Sequence, residues 1–261
     1  MRHSLHPAAF KGFSSAAPTY VRGRPEYPPE ITSWLEQKLE VAPGKTIVDL
    51  GAGTGKFTKF LVQTGANVIA IEPVESMRNL LSANLPSVMS KDGTAQVMPL
   101  EDSSCDVVVC AQAFHWFAIT TVLTEIHRVL RPEGKLGLIW NVRDESIDWV
   151  AAITNIIAPY EGDTPRMHTG LWRRPFTGEL FTELSETCFS YRHIGSAEEV
   201  IVDRVLSISF IAALPDADKM TVTDKLHALI DSHPDLKGRD SIAFPYQTRA
   251  YWCARKAEQG R

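Results

Sequence analysis

The segment Ile47-Val48-Asp49-Leu50-Gly51-Ala52-Gly53-Thr54-Gly55-Lys56-Phe57 constrains the fold more than any other stretch of the chain. An apolar run ends in an acid and then breaks into three glycines at alternate positions. The run reads as a buried strand, the glycines as a tight turn, and Lys56-Phe57 as the start of a helix. Residues without a Cβ let the backbone take left-handed conformations and lie directly against a ligand, while the first helical turn offers N–H groups that have no partner inside the helix. Strand, turn and helix together make a nucleotide-type pocket. About twenty residues on, at the spacing that sets an acid on a ribose in dinucleotide-binding folds, Asn67-Val68-Ile69-Ala70-Ile71-Glu72 gives a second strand ending in an acid.

The glycine spacing narrows the choice of nucleotide. A dinucleotide fingerprint needs a third glycine where this chain has Lys56, and a phosphate-cradling loop needs Gly-Lys followed by Ser or Thr. Neither pattern is met. Asp49 also puts a negative group beside the turn, where a pyrophosphate would be repelled. S-adenosylmethionine suits the turn better, because it carries an ammonium and a cationic sulfonium and has no phosphate.

Further motifs fall in order behind this start: Glu72-Pro73-Val74-Glu75-Ser76-Met77, Gly93-Thr94-Ala95-Gln96-Val97-Met98-Pro99-Leu100, Ser103-Ser104-Cys105-Asp106-Val107-Val108-Val109 and Leu130-Arg131-Pro132-Glu133-Gly134-Lys135-Leu136. On these residues the chain resembles the class I S-adenosylmethionine-dependent methyltransferases, and more narrowly the type 11 small-molecule branch with its ubiquinone-type and trans-aconitate-type enzymes. Ala111-Gln112-Ala113-Phe114-His115-Trp116-Phe117 and Tyr20-Val21-Arg22-Gly23-Arg24-Pro25-Glu26-Tyr27-Pro28 look like one subgroup of that branch. The resemblance spans residues 20 to 255 and is weakest in the loop of the second half. It implies an α/β, Rossmann-like fold: a seven-stranded, mostly parallel sheet with an antiparallel last strand and helices on both faces. A single domain, 1–261, is expected, with an N-terminal arm or lid (1–28), a cofactor-binding half (29–140) and an acceptor-site half (141–261).

Bulk properties bound the partners. At 261 residues, with 44% hydrophobic and 22% charged residues, the chain has the composition of a soluble globular protein with a full core. A net charge of −4 argues against a nucleic-acid substrate, whose phosphates call for a basic face. Ala111 to Trp116 also lacks the Asn/Asp-Pro-Pro-Tyr/Phe motif of base-modifying methyltransferases. Cys105, Cys110, Cys188 and Cys253 have no Cys-x-x-Cys spacing and read as small apolar residues, and no His or carboxylate pairing makes a metal site, so no metal is expected. No apolar run reaches the ~20 residues of a membrane helix and the N-terminus lacks a signal-peptide core, so a cytoplasmic location with no membrane partner is expected.

Strand and helix patterns alternate from Ile31 to Trp140: helix faces at Ile31, Trp34, Leu35 and Leu39, then around Phe57, Phe60 and Leu61, Met77, Leu80 and Leu81, and Val122, Leu123, Ile126 and Leu130. They separate strands at 47–50, 68–71, near 88–90, at 106–110 and at 136–140, and continuous apolar strands between helices imply a parallel sheet covered on both faces. The second half carries a helix with Trp149, Val150, Ile153 and Ile157, a long aromatic loop from Ala158 to Leu180, a strand at 187–193, helix faces at Ile201, Val205, Ile208 and Ala212 and at Val222, Leu226 and Ile230, and a final strand through Trp252 with Pro245 near its start.

The resemblance assigns roles by position. Gly51, Ala52, Gly53, Thr54 and Gly55 line the methionine part of S-adenosylmethionine, Asp49 supports its ammonium, Glu72 with Pro73 meets the ribose, and Met77 packs on adenine. Thr94 stands where many relatives have an adenine-binding Asp, which shifts weight to the Ala95 backbone, and Gln112 leaves the fourth strand beneath the sulfonium. His115 is the candidate general base, needed if the acceptor must lose a proton, and is equally read as a pocket-lining or packed histidine. Tyr20, Arg24, Trp116, Trp140, Asn141 and Trp172 are candidate walls of the site for a small-molecule acceptor, with Arg173-Arg174 as a candidate anion contact. Two other readings stay open: an oxidoreductase using a nicotinamide cofactor, and a non-methylating protein on the same fold.

Overall fold

The computed structural model describes residues 23–257. Seven strands, β1 (Thr46–Leu50), β2 (Asn67–Ile71), β3 (Met89–Lys91), β4 (Cys105–Ala111), β5 (Leu130–Arg143), β6 (Ser185–Gly195) and β7 (Ile242–Ala254), form one sheet in the order β3-β2-β1-β4-β5-β7-β6. Strand β7 runs antiparallel to both β5 and β6, and the remaining pairs are parallel. The helices are α1 (Glu30–Lys38), α2 (Thr58–Gln63), α3 (Glu75–Asn84), α4 (Thr120–Val129), α5 (Asp148–Ile157), α6 (Arg204–Leu206), α7 (Ser209–Ala212) and α8 (Asp216–Ser232). This is the mixed sheet that the family resemblance implied.

Strand residues alternate between two apolar layers, as a pleat of period two requires. Val48, Leu50, Val108, Cys110, Leu136 and Leu138 pack with Val122, Leu123 and Ile126 of α4 on one face. Their neighbours Ile47, Val107, Val109 and Ile139 pack with Ile31, Trp34 and Leu35 of α1, Phe60 and Leu61 of α2 and Leu81 of α3 on the other. A third cluster joins α5, α7 and α8 to Ile242, Phe244 and Tyr246 at the start of β7. Sheet order reverses between β1 and β4, so the connections after these two strands leave in opposite directions. That leaves a crevice at their carboxyl ends.

Two elements differ from the expectation, while Pro245 lies near the start of its strand as expected. Strand β5 is longer than 136–140 because its antiparallel partner continues the ladder from Lys135 opposite Ala254 to Arg143 opposite Tyr246. Pro245 lies just past that ladder, opposite Arg192 of β6, where its missing N–H costs β5 nothing, and its carbonyl accepts from the Asp144 N–H at 3.1 Å. The helix face expected from Ile201 to Ala212 is broken into a π-helical turn (Glu198–Asp203), α6 and α7. The break leaves the Ser207 carbonyl to accept from the Arg24 guanidinium at 2.8 Å.

The aromatic loop is ordered by its rings. It holds single 3-10 turns at Ala158–Tyr160, Met167–Thr169 and Leu171–Arg173, and Trp172 lies against Trp140 and Tyr251 with ring centroids 4.7 and 5.0 Å away. No helix among the described residues is long and apolar enough to cross a membrane. Leu138, fully buried between β5 and α4, tests the core: Leu138→Ala should lower the unfolding free energy by about 2–5 kcal/mol in urea denaturation, while Val97→Ala, at an exposed site, should change it by less than about 0.5 kcal/mol.

Candidate functional site

The crevice between the ends of β1 and β4 is a cavity, and the turn after β1 forms its floor. Gly51 and Gly53 take φ of +74° and +58°, a region that a Cβ makes costly. A Cβ on Gly51 would meet that of Ala113 at 2.8 Å, so the two loops touch there backbone to side chain. A Cβ on Gly53 would meet only the Met77 sulfur at 3.9 Å, since this glycine faces open space inside the cavity. Gly55 does not line the cavity. It turns the chain, at φ +85°, close over Leu81 and Leu85.

Two buried acids close the ends of β1 and β2. Glu72 accepts the Gly53 N–H on Oε2 at 2.8 Å and the Val74 N–H on Oε1 at 2.9 Å, which ties the glycine turn to the loop after β2. Burial raises its carboxyl above the usual range against these two hydrogen bonds. Asp49 accepts from the Thr58 hydroxyl on Oδ2 at 2.6 Å, while its Oδ1 is buried with no hydrogen-bond partner. Burial lifts the Asp49 carboxyl to about 7, with the Thr58 hydrogen bond opposing and the nearby Glu72 charge adding.

Most of the expected cofactor residues meet here. Asp49, Gly51, Ala52, Gly53, Thr54, Glu72, Pro73, Met77, Thr94, Ala95 and Gln112 all line the cavity. Thr94 and Val97 exchange backbone hydrogen bonds in a tight turn. Gln112 sits at φ +58°, an unusual value for a side-chain-bearing residue, and its amide donates to the Asn141 carbonyl at 3.3 Å.

Residues 24–28 strap across the opening. The Asn141 amide donates to the Glu26 carbonyl at 2.8 Å, the Lys56 ammonium donates to the Arg24 carbonyl, and Lys59 pairs with Glu26 at 2.5 Å. Arg24 and Tyr27 line the cavity, with Tyr27 set edge-on to Phe57 at 4.9 Å between ring centroids. Tyr20 lies outside the described residues. Lys56 is a lining residue that sequence reasoning noted only as a missing glycine.

A second cavity adjoins the first and shares Arg24, Gln112, Trp116, Asn141 and Arg204 with it. His115 and Trp140 belong to this chamber alone. The Trp140 indole N–H donates to His115 Nδ1 at 3.0 Å, which leaves the ring proton of the neutral histidine on Nε2. Burial, then the charges of Arg166 and Arg24, push the His115 pKa down to about 3. A ring with its lone pair taken and its proton on the other nitrogen donates to the chamber; it has no site from which to take a proton. The geometry therefore speaks against His115 as general base.

Two expected acceptor contacts lie elsewhere. Trp172 lines neither cavity and instead packs behind Trp140. Arg173 lies over the Trp172 and Tyr251 rings and faces Glu186 at 3.8 Å, and Arg174 is exposed, so neither reaches the chamber. Arg143, Arg166 and Arg204, which sequence reasoning missed, line it instead. They come from β5, the aromatic loop and α6, and no local spacing links them. Outside both cavities Asp148, His233 and Asp235 bring three ligand atoms within 4.8 Å of one another, two of these residues being exposed.

Comparison with known proteins gives concordant matches. A family model described as a methyltransferase domain matches residues 48–138. An uncharacterized methyltransferase-like protein of Schizosaccharomyces pombe is 36% identical over 242 residues, covering 92% of this chain and 94% of that protein. An uncharacterized methyltransferase of Mycobacterium tuberculosis is 38% identical over 236 residues, covering 90% of this chain and 92% of its own. Among solved structures, a proposed type II methyltransferase from Anaeromyxobacter dehalogenans matches with a TM-score of 0.64 and 22% identity, covering 89% of this chain and 96% of that one. The YcgJ protein of Bacillus subtilis matches at 0.55 and 16%, covering 87% and 98%. At these identities the structural matches speak for the fold alone.

Two titrations check the site's electrostatics. The Asp49 carboxyl ionises near 3.8 in the unfolded chain and near 7 in the folded one, so its contribution to stability is full below about pH 4 and is lost as pH rises through 7. In urea denaturation, the stability difference between Asp49→Asn and the parent should therefore move in the variant's favour by a few kcal/mol from pH 4 to pH 8. His115 should remain neutral with its proton on Nε2 down to pH 5 in NMR of histidine-labelled protein; a midpoint near 6.5 would contradict the assignment.

Proposed function

The chain belongs to the methyltransferase family, and on that premise we propose that it moves a methyl group from S-adenosylmethionine to a small organic molecule. One observation carries the choice of donor: the buried Asp49 oxygen without a hydrogen-bond partner, beside a glycine turn whose open side faces the cavity. A buried acceptor with no donor is costly, and an ammonium group answers it. S-adenosylmethionine supplies that ammonium. When bound it also supplies the reactive methyl, held on a cationic sulfur.

The remaining lining residues fit the same molecule. Arg24 and Lys56 offer positive charge for its amino-acid carboxylate. Glu72 holds two backbone N–H groups on different oxygens and keeps lone pairs for the ribose hydroxyls. Met77 gives a soft apolar contact for adenine, with Thr94 and Ala95 at its edge, and Gln112 stands at the passage between the two cavities. In this reading residues 29–140 supply most of the donor site and 141–261 most of the acceptor site. The strap at residues 24–28 excludes water from the donor.

For the chain's own residues, catalysis is then mainly placement. The acceptor lies in the second chamber and reaches the donor across Gln112, Trp116 and Asn141, which turns a two-molecule encounter into a positioned displacement. His115 orients the acceptor by donating from Nε2. A nicotinamide dinucleotide fits less well, because its pyrophosphate would lie against Asp49 and Glu72 with Lys56 in place of the third fingerprint glycine.

Calorimetric titration tests the reading. S-adenosylhomocysteine should bind and NAD should give no heat. Gly53→Arg, whose side chain has only the cavity to enter, should stay folded at a cost of about 1–2 kcal/mol for its positive φ and lose at least tenfold in affinity for S-adenosylhomocysteine. Binding of NAD in its place would overturn the assignment.

A further inference from the structure

Asn141 lines both cavities, and its amide is held in one orientation from behind. Its Nδ2 donates to the Glu26 carbonyl in the middle of the strap at 2.8 Å. Its backbone carbonyl accepts from the Gln112 amide at 3.3 Å, so one residue ties the strap to the passage between the chambers. Opposite it on β7 stands Thr248, whose hydroxyl donates to Asn141 Oδ1 at 2.6 Å. The antiparallel register sets this pair, because residues directly opposite on neighbouring strands put their side chains on the same face. Thr248 is fully buried and lines neither cavity.

The two ends of an asparagine amide have nearly the same shape and opposite hydrogen-bonding character. Only the nitrogen end can meet the Glu26 carbonyl, because an oxygen turned there would set two acceptors face to face. The Thr248 hydroxyl supports that orientation by satisfying the oxygen end, on a side chain that is otherwise enclosed: Asn141 is 8% exposed. Without the hydroxyl, Oδ1 becomes a buried acceptor with no donor, a loss that favours any movement bringing it to water. Such a movement gives up the bond to Glu26. The Glu26 carboxylate also pairs with Lys59, but both side chains are about two-fifths exposed, and water weakens a pair of that kind.

Resting on the methyl-transfer reading above, we propose that Thr248 is a positioning residue for the donor site: by fixing the Asn141 amide it keeps the strap closed over the first cavity. Closure slows the release of S-adenosylmethionine and of the S-adenosylhomocysteine left after transfer. Thr248 touches neither molecule and acts through Asn141 alone. The effect depends on its hydroxyl and not on its volume, so serine retains it and valine, which has the same shape, does not.

The test compares Thr248→Val and Thr248→Ala, which remove the hydroxyl, with Thr248→Ser, which keeps it. In the full chain without ligand, cleavage after Glu26 by a glutamate-specific protease should be at least about fivefold faster in the Val and Ala variants and within about twofold of the parent in Thr248→Ser. Stopped-flow dissociation of S-adenosylhomocysteine should accelerate by the same factors. Tyr251→Phe removes another side-chain hydrogen bond of β7, the one to Glu186 at 2.7 Å, and should change neither rate by more than about twofold. Asn141→Ala should behave like Thr248→Val, and combining the two should change either rate by less than about twofold further, because they act in series. Unchanged rates in both the Val and Ala variants, failure of Ser to restore them, an equal effect of Tyr251→Phe, or an undiminished effect of Thr248→Val on the Asn141→Ala background would overturn the positioning role. A parent chain that does not bind S-adenosylhomocysteine would instead overturn the methyl-transfer reading, and the protease rates would still decide whether Thr248 holds the strap.

Discussion

A carboxyl with one unpartnered oxygen is buried where β1 ends, and the first cavity is organised around it. Asp49 is held by Thr58 on one oxygen and left without a partner on the other, with the Glu72 charge close enough to raise its pKa further. Such a group is destabilising in the folded chain unless a cation or a proton answers it. Glu72 differs in kind: two backbone N–H groups satisfy it, and it spends its hydrogen bonds fixing the glycine turn and the loop after β2. One acid shapes the site, and the other leaves a demand that a proton or a bound cation meets.

The parallel sheet explains why these groups meet. Asp49, Glu72 and Gln112 sit at or just past the carboxyl ends of β1, β2 and β4, and the reversal of strand order between β1 and β4 opens the space they face. The second chamber depends on the antiparallel extension of β5 along β7. Without the register that carries β5 on to Arg143, neither Asn141 nor Arg143 would be held beside the first cavity. Two charge environments therefore adjoin, one that sets Asp49 and Glu72 beside Arg24 and Lys56, and one lined mainly by arginines, with Arg204 shared between them.

Sequence made the first environment legible and the second nearly opaque. Gly51, Gly53, Asp49 and Glu72 are linked by short spacings that derive from strand, turn and helix geometry, so their convergence could be read without coordinates. Gly55 belonged to the same motif yet turned away, because φ describes the backbone and does not say which side faces the ligand. The arginines of the chamber come from β5, the aromatic loop and α6, more than sixty residues from end to end, and only tertiary contact unites them. Arg173 and Arg174 looked more suggestive because they are adjacent, but Arg173 is drawn over Trp172 and Tyr251. The role of His115 turned on Trp140, twenty-five positions away, whose indole N–H decides which ring nitrogen carries the proton.

Proton release on donor binding tests the central claim most directly. If Asp49 meets the ammonium of S-adenosylhomocysteine, binding near pH 7 must ionise a carboxyl that is about half protonated in the free protein. Calorimetric titrations in buffers of different ionisation enthalpy should then show about half a proton released at pH 7, falling toward zero by pH 9, and none in Asp49→Asn. Binding that releases no proton in the parent chain, or the same number in the variant, would contradict the account.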